Sequence, residues 1–306
     1  MTVTTGGNAV AGTVSYDAAS KVGTFVATAT AGFAPSTSFV VTVKVGATDL
    51  AGNGLATAKT WGFTTGTQRC LSAVNLRTVS SFGSFGGGAG VTNQGLNTVV
   101  NGDLGTTGVC TTITGFHDAA NEYTQTPLNK GLVNGGVYCN APLPGTTTTM
   151  AIATQAAADA QTAYDTMAGM TANLYATGSL AGATLTPGLY TAPGGFFNIT
   201  AGDVTLDAQG DPDAVWIFQM SSALTLGLPA TPRSVLLLNG AQAKNVFWQV
   251  GSAARIENGS SMQGTLIASA GVTFSTAGEA ALTRLTGRAI GLHASVTMVN
   301  TVITAP

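Results

Sequence analysis

Val, Thr, Phe and Tyr alternate with small or polar residues in four stretches of the first 66 positions: 12–16, 22–28, 38–44 and 59–64. Gly, Asn and Asp punctuate them, so the pattern predicts short antiparallel strands joined by tight turns. From residue 71 to Pro144 the chain is rich in Gly, Asn and Thr. Residues 149–168 differ: they hold neither Gly nor Pro, and their Ala, Gln, Met and Asp favour a helix. Ile152, Ala156, Ala160 and Tyr164 recur there at every fourth position, which predicts one narrow apolar face on a structural helix.

Four segments of the C-terminal third superpose, starting at Trp216, Val246, Gly264 and Arg288: WIFQMSSALTLGL, VFWQVGSAARIEN, GTLIASAGVTFST and RAIGLHASVTMVN. Each holds an apolar strand, a corner of small residues and a second, alternating strand. Their starts lie 30, 18 and 24 residues apart, an irregular repeat centred on one turn of a β-solenoid whose stacked coils share a core. Leu224 and Leu226, Ala254 and Ile256, Val272 and Phe274, and Val296 and Met298 occupy matching positions and are predicted to point inward. Alternation then turns outward Ala223, Thr225 and Gly227; Ala253, Arg255 and Glu257; Gly271, Thr273 and Ser275; and Ser295, Thr297 and Val299. Gly90, Thr92 and Gln94 repeat the pattern upstream.

Composition sharpens this picture. Thr, Ala and Gly number 49, 47 and 41 of 306 residues, while charged residues make up only 8%. The predicted outer face is therefore uncharged and studded with hydroxyls and methyls, where a surface would ordinarily carry Lys and Glu. A net charge of −2 excludes the basic footprint of a nucleic-acid binder. No apolar run reaches the roughly 18 residues that suggest a membrane span, so no membrane insertion is expected. Met1 leads directly into Thr-rich sequence without a basic or apolar leader region, so a signal peptide, if the protein is secreted or held at the cell surface, is expected to have been removed. Among three cysteines, Cys110 and Cys139 bracket a polar, turn-rich loop and are the favoured disulfide, with Cys70 left free.

Candidate chemistry is sparse. Asp207, Asp211 and Asp213 could suggest a cation, but turn-forming Asp residues are the better reading, so no metal and no cofactor is expected. His117 and His293 lie far apart with no HExxH or GxSxG pattern, and the glycines of 83–90 lack phosphate-loop spacing and read as a tight corner. Trp216 and Trp248 stand in apolar strands and are predicted as packing residues rather than sugar platforms. No catalytic residue is assigned. An outward Thr grid can instead order water: Thr is stiff at χ1, and residues on one strand face repeat at about 7 Å with strands about 4.8 Å apart.

Residues 71–306 resemble the microbial ice-binding proteins that fold as a discontinuous β-solenoid with a helix alongside. The resemblance rests on Gly102–Thr107 (GDLGTT), Ile113–Phe116 (ITGF), Leu185–Thr191 (LTPGLYT), Gly202–Gln219 and Asn239–Gly251. It implies adsorption to ice, thermal hysteresis and inhibition of recrystallisation. Thr48–Ala56 and Trp61–Gly66 resemble the C-terminal half of bacterial Ig-like domains. About 66 residues precede the solenoid where such a domain has about 100, so its first strands are expected to be missing. The expected fold is all-β dominated: a partial Ig-like β-sandwich over 1–66, a linker over 67–70, and over 71–306 an irregular parallel β-solenoid with one α-helix at about 149–168.

The expected ice-contact residues are Thr92, Ala223, Thr225, Ala253, Gly271, Thr273, Ser275, Ser295 and Thr297, with the ice surface as partner and the protein a monomer. Arg255 and Glu257 depart from the small or Thr residues that the family resemblance implies at these positions. Either they pair with each other across two residues of one strand, or their row lies beyond the part that touches ice. The Ig-like part, carrying Lys21, Lys44 and Lys59, reads as a spacer, stabiliser or tether. The rival reading, an adhesin or polysaccharide-binding module, calls for exposed aromatics in a groove; a lyase or hydrolase calls for carboxylates converging on one wall.

Overall fold

The computed structural model describes residues 1–28, 33–34, 36–48, 52–66, 71–171 and 174–306. They belong to two compact units, Met1–Leu71 and Ser72–Pro306. The linker at 67–70, Cys70 included, lies outside the described residues.

In the N-terminal unit the alternating stretches form strands Gly12–Asp17, Val22–Ala27, Ser38–Val43 and Lys59–Thr64, joined by Thr2–Thr5 and Asn8–Ala9. The first of these pairs with the second as a hairpin, and the other four make an antiparallel sheet. Its core is small: Val3, Phe39 and Val41 are buried, with Met1, Val10, Phe25 and Phe33 packed against them. Phe39 meets Phe33 edge-on at 4.7 Å and stacks on Phe63 at 5.4 Å.

The second unit is a parallel β-solenoid with three walls. One is a six-stranded sheet of three-residue strands, in the spatial order Phe197–Ile199, Leu224–Leu226, Ala254–Ile256, Val272–Phe274, Val296–Met298, Val91–Asn93. A second contains Gly188–Thr191, Trp216–Met220, Val246–Val250 and Phe82–Gly86; the third contains Val204–Asp207, Val235–Leu238, Thr301–Thr304 and Val99–Asn101. Two long strands, Ser261–Ala268 and Thr283–Gly291, pass from the third wall to the second. They pass the corner at Gly264 (φ +104°) and Gly287 (φ +154°), where a Cβ would fall 2.5 Å from the Val246 carbonyl oxygen and 1.8 Å from that of Gly264. Only glycine satisfies both demands.

Inside, side chains stack coil on coil. Phe218 lies flat on Trp248 at 3.9 Å, and the two buried indoles, Trp216 and Trp248, donate to the carbonyls of Leu185 and Gln263. The second wall is buried on both sides: its outward Ile217, Phe247, Ile267 and Ile290 are covered as fully as its inward residues. The 3-10 turn Arg77–Ser81 and the helix Thr147–Ala168 pack there.

That helix starts at a reciprocal cap between Thr146 and Thr149, beside the Cys110–Cys139 disulfide, whose Cys139 carbonyl accepts from the Thr149 hydroxyl. The cysteines are 29 residues apart, and closing that loop is worth roughly 3.6 kcal/mol in the chain-entropy account. At about 1.5 Å per residue the 22-residue helix is about 33 Å long, which suits a stack of coils about 4.8 Å apart. The buried face is Ala153, Ala156, Ala160, Ala163 and Met167. Of the predicted face Ala156 and Ala160 are buried, whereas Ile152 is 38% exposed and Tyr164 half-buried, so the buried stripe is rotated toward Ala153 and Ala163. Alanine lets the helix lie close to the sheet, and that closeness outweighs the bulk of Ile152. The glycines at 83–90 likewise divide between the strand Phe82–Gly86 and a turn, rather than forming a corner alone. Among the described residues no helix is long and apolar enough to cross a membrane, and no cluster of His, Cys, Asp and Glu could hold a metal.

Asp159 pins the helix to the segment before the first coil. Its buried carboxylate accepts from the Thr78 hydroxyl and backbone N–H and from Gln155, with Arg77 at 3.7 Å. The Thr78 hydroxyl bond is the main cause holding its carboxyl below the ordinary range, against the opposing cost of burial. A depressed native pKa means that this stabilisation is complete above the unfolded carboxylate value of about 4 and is lost as pH falls through the native one. Asp159→Asn is therefore expected to lower the thermal midpoint by about 5 °C at neutral pH. Melts followed by circular dichroism should show that deficit shrinking below about pH 4.

Candidate functional site

The six short strands place one residue each on the outside. In register, these outward residues are Asn198, Thr225, Arg255, Thr273, Thr297 and Thr92. A bridge from Thr92 to Thr114 extends the row by one, and the Thr114 hydroxyl donates to that of Thr92 at 3.2 Å. Thr273, Thr297, Thr92 and Thr114 thus stand on successive rungs. All four are half-buried.

Beneath them two apolar rows close the wall. Phe197, Leu224, Ala254, Val272, Val296 and Val91 form one; Ile199, Leu226, Ile256, Phe274 and Met298 form the other. Asn93 ends the second row, fully buried, and its amide bonds the carbonyls of Gly95 and Gly115 at 2.7 and 2.9 Å. This burial anchors each outward side chain on a rigid strand.

One flank of the row is low. Ala223, Ala253, Gly271 and Ser295 precede the outward residues on consecutive strands, with Phe196 projecting at the end, 42% exposed. Gly271 has a cause in packing, since a Cβ there would lie 2.4 Å from the Ser295 carbonyl oxygen.

The other flank turns inward, which corrects the reading of Ser275. Ser275 is 1% exposed, and Glu257 and Val299 are buried beside it. Three-residue strands end before alternation can return a side chain to the surface. Ser275 has φ +65° and Gly227 φ +79°, so the backbone leaves the sheet at these positions. Gly227 is buried as well, leaving Gln94 as the exposed residue among those set third outward.

Arg255 is the one charged side chain in the outward row. It makes a two-point clamp with Glu257, Nε to Oε1 at 2.8 Å and Nη2 to Oε2 at 3.0 Å, and also donates to the Thr276 hydroxyl. The Arg255 side chain is 35% exposed and that of Glu257 9%.

Thr92, Ala223, Thr225, Ala253, Gly271, Thr273, Ser295 and Thr297 therefore lie together on one wall, and Ser275 does not join them. Two members of the row were missed from sequence. Asn198 sits in a Phe-Asn-Ile triplet with the same in-out-in character, but it lies upstream of the four aligned coils. Thr114 is paired through an isolated bridge outside any regular strand.

The wall differs from its neighbours. The second lies under the helix, and the third carries exposed Arg284, Leu236 and Leu238. Along the six-stranded sheet the solvent meets hydroxyls, methyls, an amide and one clamped guanidinium.

Comparison with known proteins bears on both units. The profile described as ice-binding-like matches residues 85–304, and that of a bacterial Ig-like domain matches residues 1–65. An ice-binding protein of Nostoc sp. (strain HG1) is 36% identical over 235 residues, 75% of this chain and 73% of that protein. One from Flavobacterium frigoris (strain PS1) is 35% identical over 49% of this chain and 51% of its own length. Among solved structures, an ice-binding protein from an Antarctic biological consortium superposes with a TM-score of 0.60 at 33% identity, covering 76% of this chain and 91% of the other. An ice-binding protein from an Arctic yeast, solved to explain its antifreeze activity, gives a TM-score of 0.64 at 27% identity over 78% and 95% of the two chains.

The left-handed backbone at Ser275 gives a local test of the inward turn. A non-glycine residue in that region costs about 1–2 kcal/mol, so Ser275→Gly is expected to raise the thermal midpoint by about 2 °C. A fall in the midpoint would mean that the serine side chain is needed where it is.

Proposed function

The chain belongs to the ice-binding-like family, and on that footing we propose that it adsorbs to ice through the six-stranded wall, with Thr273, Thr297 and Thr92 at the centre of the contact. Gly271 and Ser295 flank them, and Thr225, Ala223 and Ala253 lie farther along the same wall. The observation that carries the assignment is the register of Thr273, Thr297 and Thr92 on adjacent strands, continued by Thr114. Rows of this kind repeat at about 4.8 Å across the strands. Each Thr offers a hydroxyl that bonds first-layer water and a methyl that restricts it, from a side chain already limited in χ1.

A single such contact is weak. Ice is a lattice, however, so the rungs in contact engage together, and departure requires them to release together. Adsorbed molecules leave growth to curved fronts between them, which lowers the freezing point locally and slows recrystallisation. The function needs no chemical step, metal or cofactor, and a monomer is sufficient. The Ig-like unit serves as a spacer or tether, and the protein works outside the cell or at its surface.

Growth of single ice crystals in a nanolitre osmometer tests the reading. Wild-type protein is expected to facet crystals and produce hysteresis. Thr297→Tyr projects a ring from the centre of the row and should lower hysteresis at least about tenfold, by loss of simultaneous contact, while the melting curve of the protein is unchanged within about 0.5 kcal/mol. A wild type that neither shapes crystals nor slows recrystallisation would refute ice binding. Full activity in Thr297→Tyr would refute this wall as the contact.

A further inference from the structure

We infer that the Arg255–Glu257 clamp is a boundary built into the wall, confining ice contact to its Thr273, Thr297, Thr92 and Thr114 end. This rests on the ice-contact reading above. In spatial order the row runs Asn198, Thr225, Arg255, Thr273, Thr297, Thr92, Thr114. Arg255 is third of the seven, so it leaves a short end of two residues and a long end of four hydroxyls.

A guanidinium holds its hydration shell more strongly than a hydroxyl, and bringing it against a surface that cannot bond it in the right directions costs several times what a Thr contact returns. An unrestrained Arg could swing aside. This one is held along the Nε–Nη2 edge of its fork, which donates to the two Glu257 oxygens and, through Nη2, to the Thr276 hydroxyl. Glu257 in turn is nearly buried, 7% exposed, at a position where the neighbouring coils carry Gly227, Ser275 and Val299. Its carboxylate depends on the guanidinium, because a buried charge without a partner is strongly destabilising. Each holds the other, so the charge stays at a fixed place in the row. Across this place the spacing of neutral hydroxyls is broken, and Thr225 cannot be part of the same ordered water layer as Thr273.

Hysteresis of a matched set of variants decides the matter. In the wild-type background Thr297→Tyr should cost about tenfold or more, and Thr225→Tyr no more than about twofold. The double replacement Arg255→Thr with Glu257→Ser copies the residue types of the next coil and removes both charges together. It should raise hysteresis about threefold, and in that background Thr225→Tyr should cost about fivefold, a coupling that additive sites would not show. Equal losses for Thr225→Tyr and Thr297→Tyr in an active wild type would overturn the boundary while leaving ice binding intact. So would a folded double variant, checked by its melting curve, with no gain. If the double variant does not fold, the two Tyr variants in the wild-type background still decide. A wild type without ice activity would remove the boundary together with the reading on which it rests.

Discussion

A β-strand of three residues that stacks between two others has one side chain to give to the outside. That constraint governs the solenoid's free wall. The first and third residues of each strand are committed to the core, where all but Asn93 are apolar and all are nearly or fully inaccessible. The second is fixed in direction by them. Parallel pairing then puts the second residues of neighbouring strands in line, whatever the length of chain between them. A row of like side chains requires only that each coil carry the same triplet in the same register. The long strands of the second wall secure that register, since Ser261–Ala268 alone pairs with eight consecutive residues of its neighbour.

Closure of the row needs a second device. Thr92 belongs to the first coil of the chain and Thr297 to the last, yet they are adjacent rungs. The helix makes this possible by carrying the chain along the stack after the first coil, so that later coils build back toward it. Its alanine face and the Asp159 pin hold it against the second wall, which removes that wall from contact with solvent. One element therefore joins the two ends of the ladder and leaves a different wall bare.

What could be read from the residues follows the same division. The inward pairs of the four aligned coils, Leu224 with Leu226 through Val296 with Met298, were legible because burial and alternation are local properties of a strand. The strands of the N-terminal unit were legible for the same reason, in alternating Val, Thr, Phe and Tyr between turn residues. Ser275 was not, because alternation says nothing about where a strand stops, and it was counted outward after the backbone had already left the sheet. The helix face was legible at Ala156 and Ala160 but not at its edges, because i+4 spacing alone does not say whether the stripe turns toward Ile152 and Tyr164 or toward Ala153 and Ala163. Thr114 could not be found by aligning repeats, since it enters the row through a single bridge. Nor did the separate coils indicate that the first stacks on the last, which is a property of the whole topology.

The scarcity of charge acquires a physical meaning in this setting. Residues that would ordinarily keep a surface soluble bring hydration shells that hold water in arrangements of their own, whereas a hydroxyl joins whatever water network it meets. A wall that orders water must therefore be polar without being charged, and Thr satisfies this while its methyl and its neighbours limit its motion. The Thr114 to Thr92 hydrogen bond restrains the hydroxyl direction as well. Away from that wall, two buried charges work against other protein groups: Asp159 on Thr78 and Gln155, and Arg288 on the carbonyls of Ser80 and Pro306. Arg255 is the exception on the bare wall, and its clamp with Glu257 converts a mobile, strongly hydrated group into a fixed one. Fixing it sets where the uncharged surface ends, so the size of that surface is determined by an ion pair as much as by the number of coils.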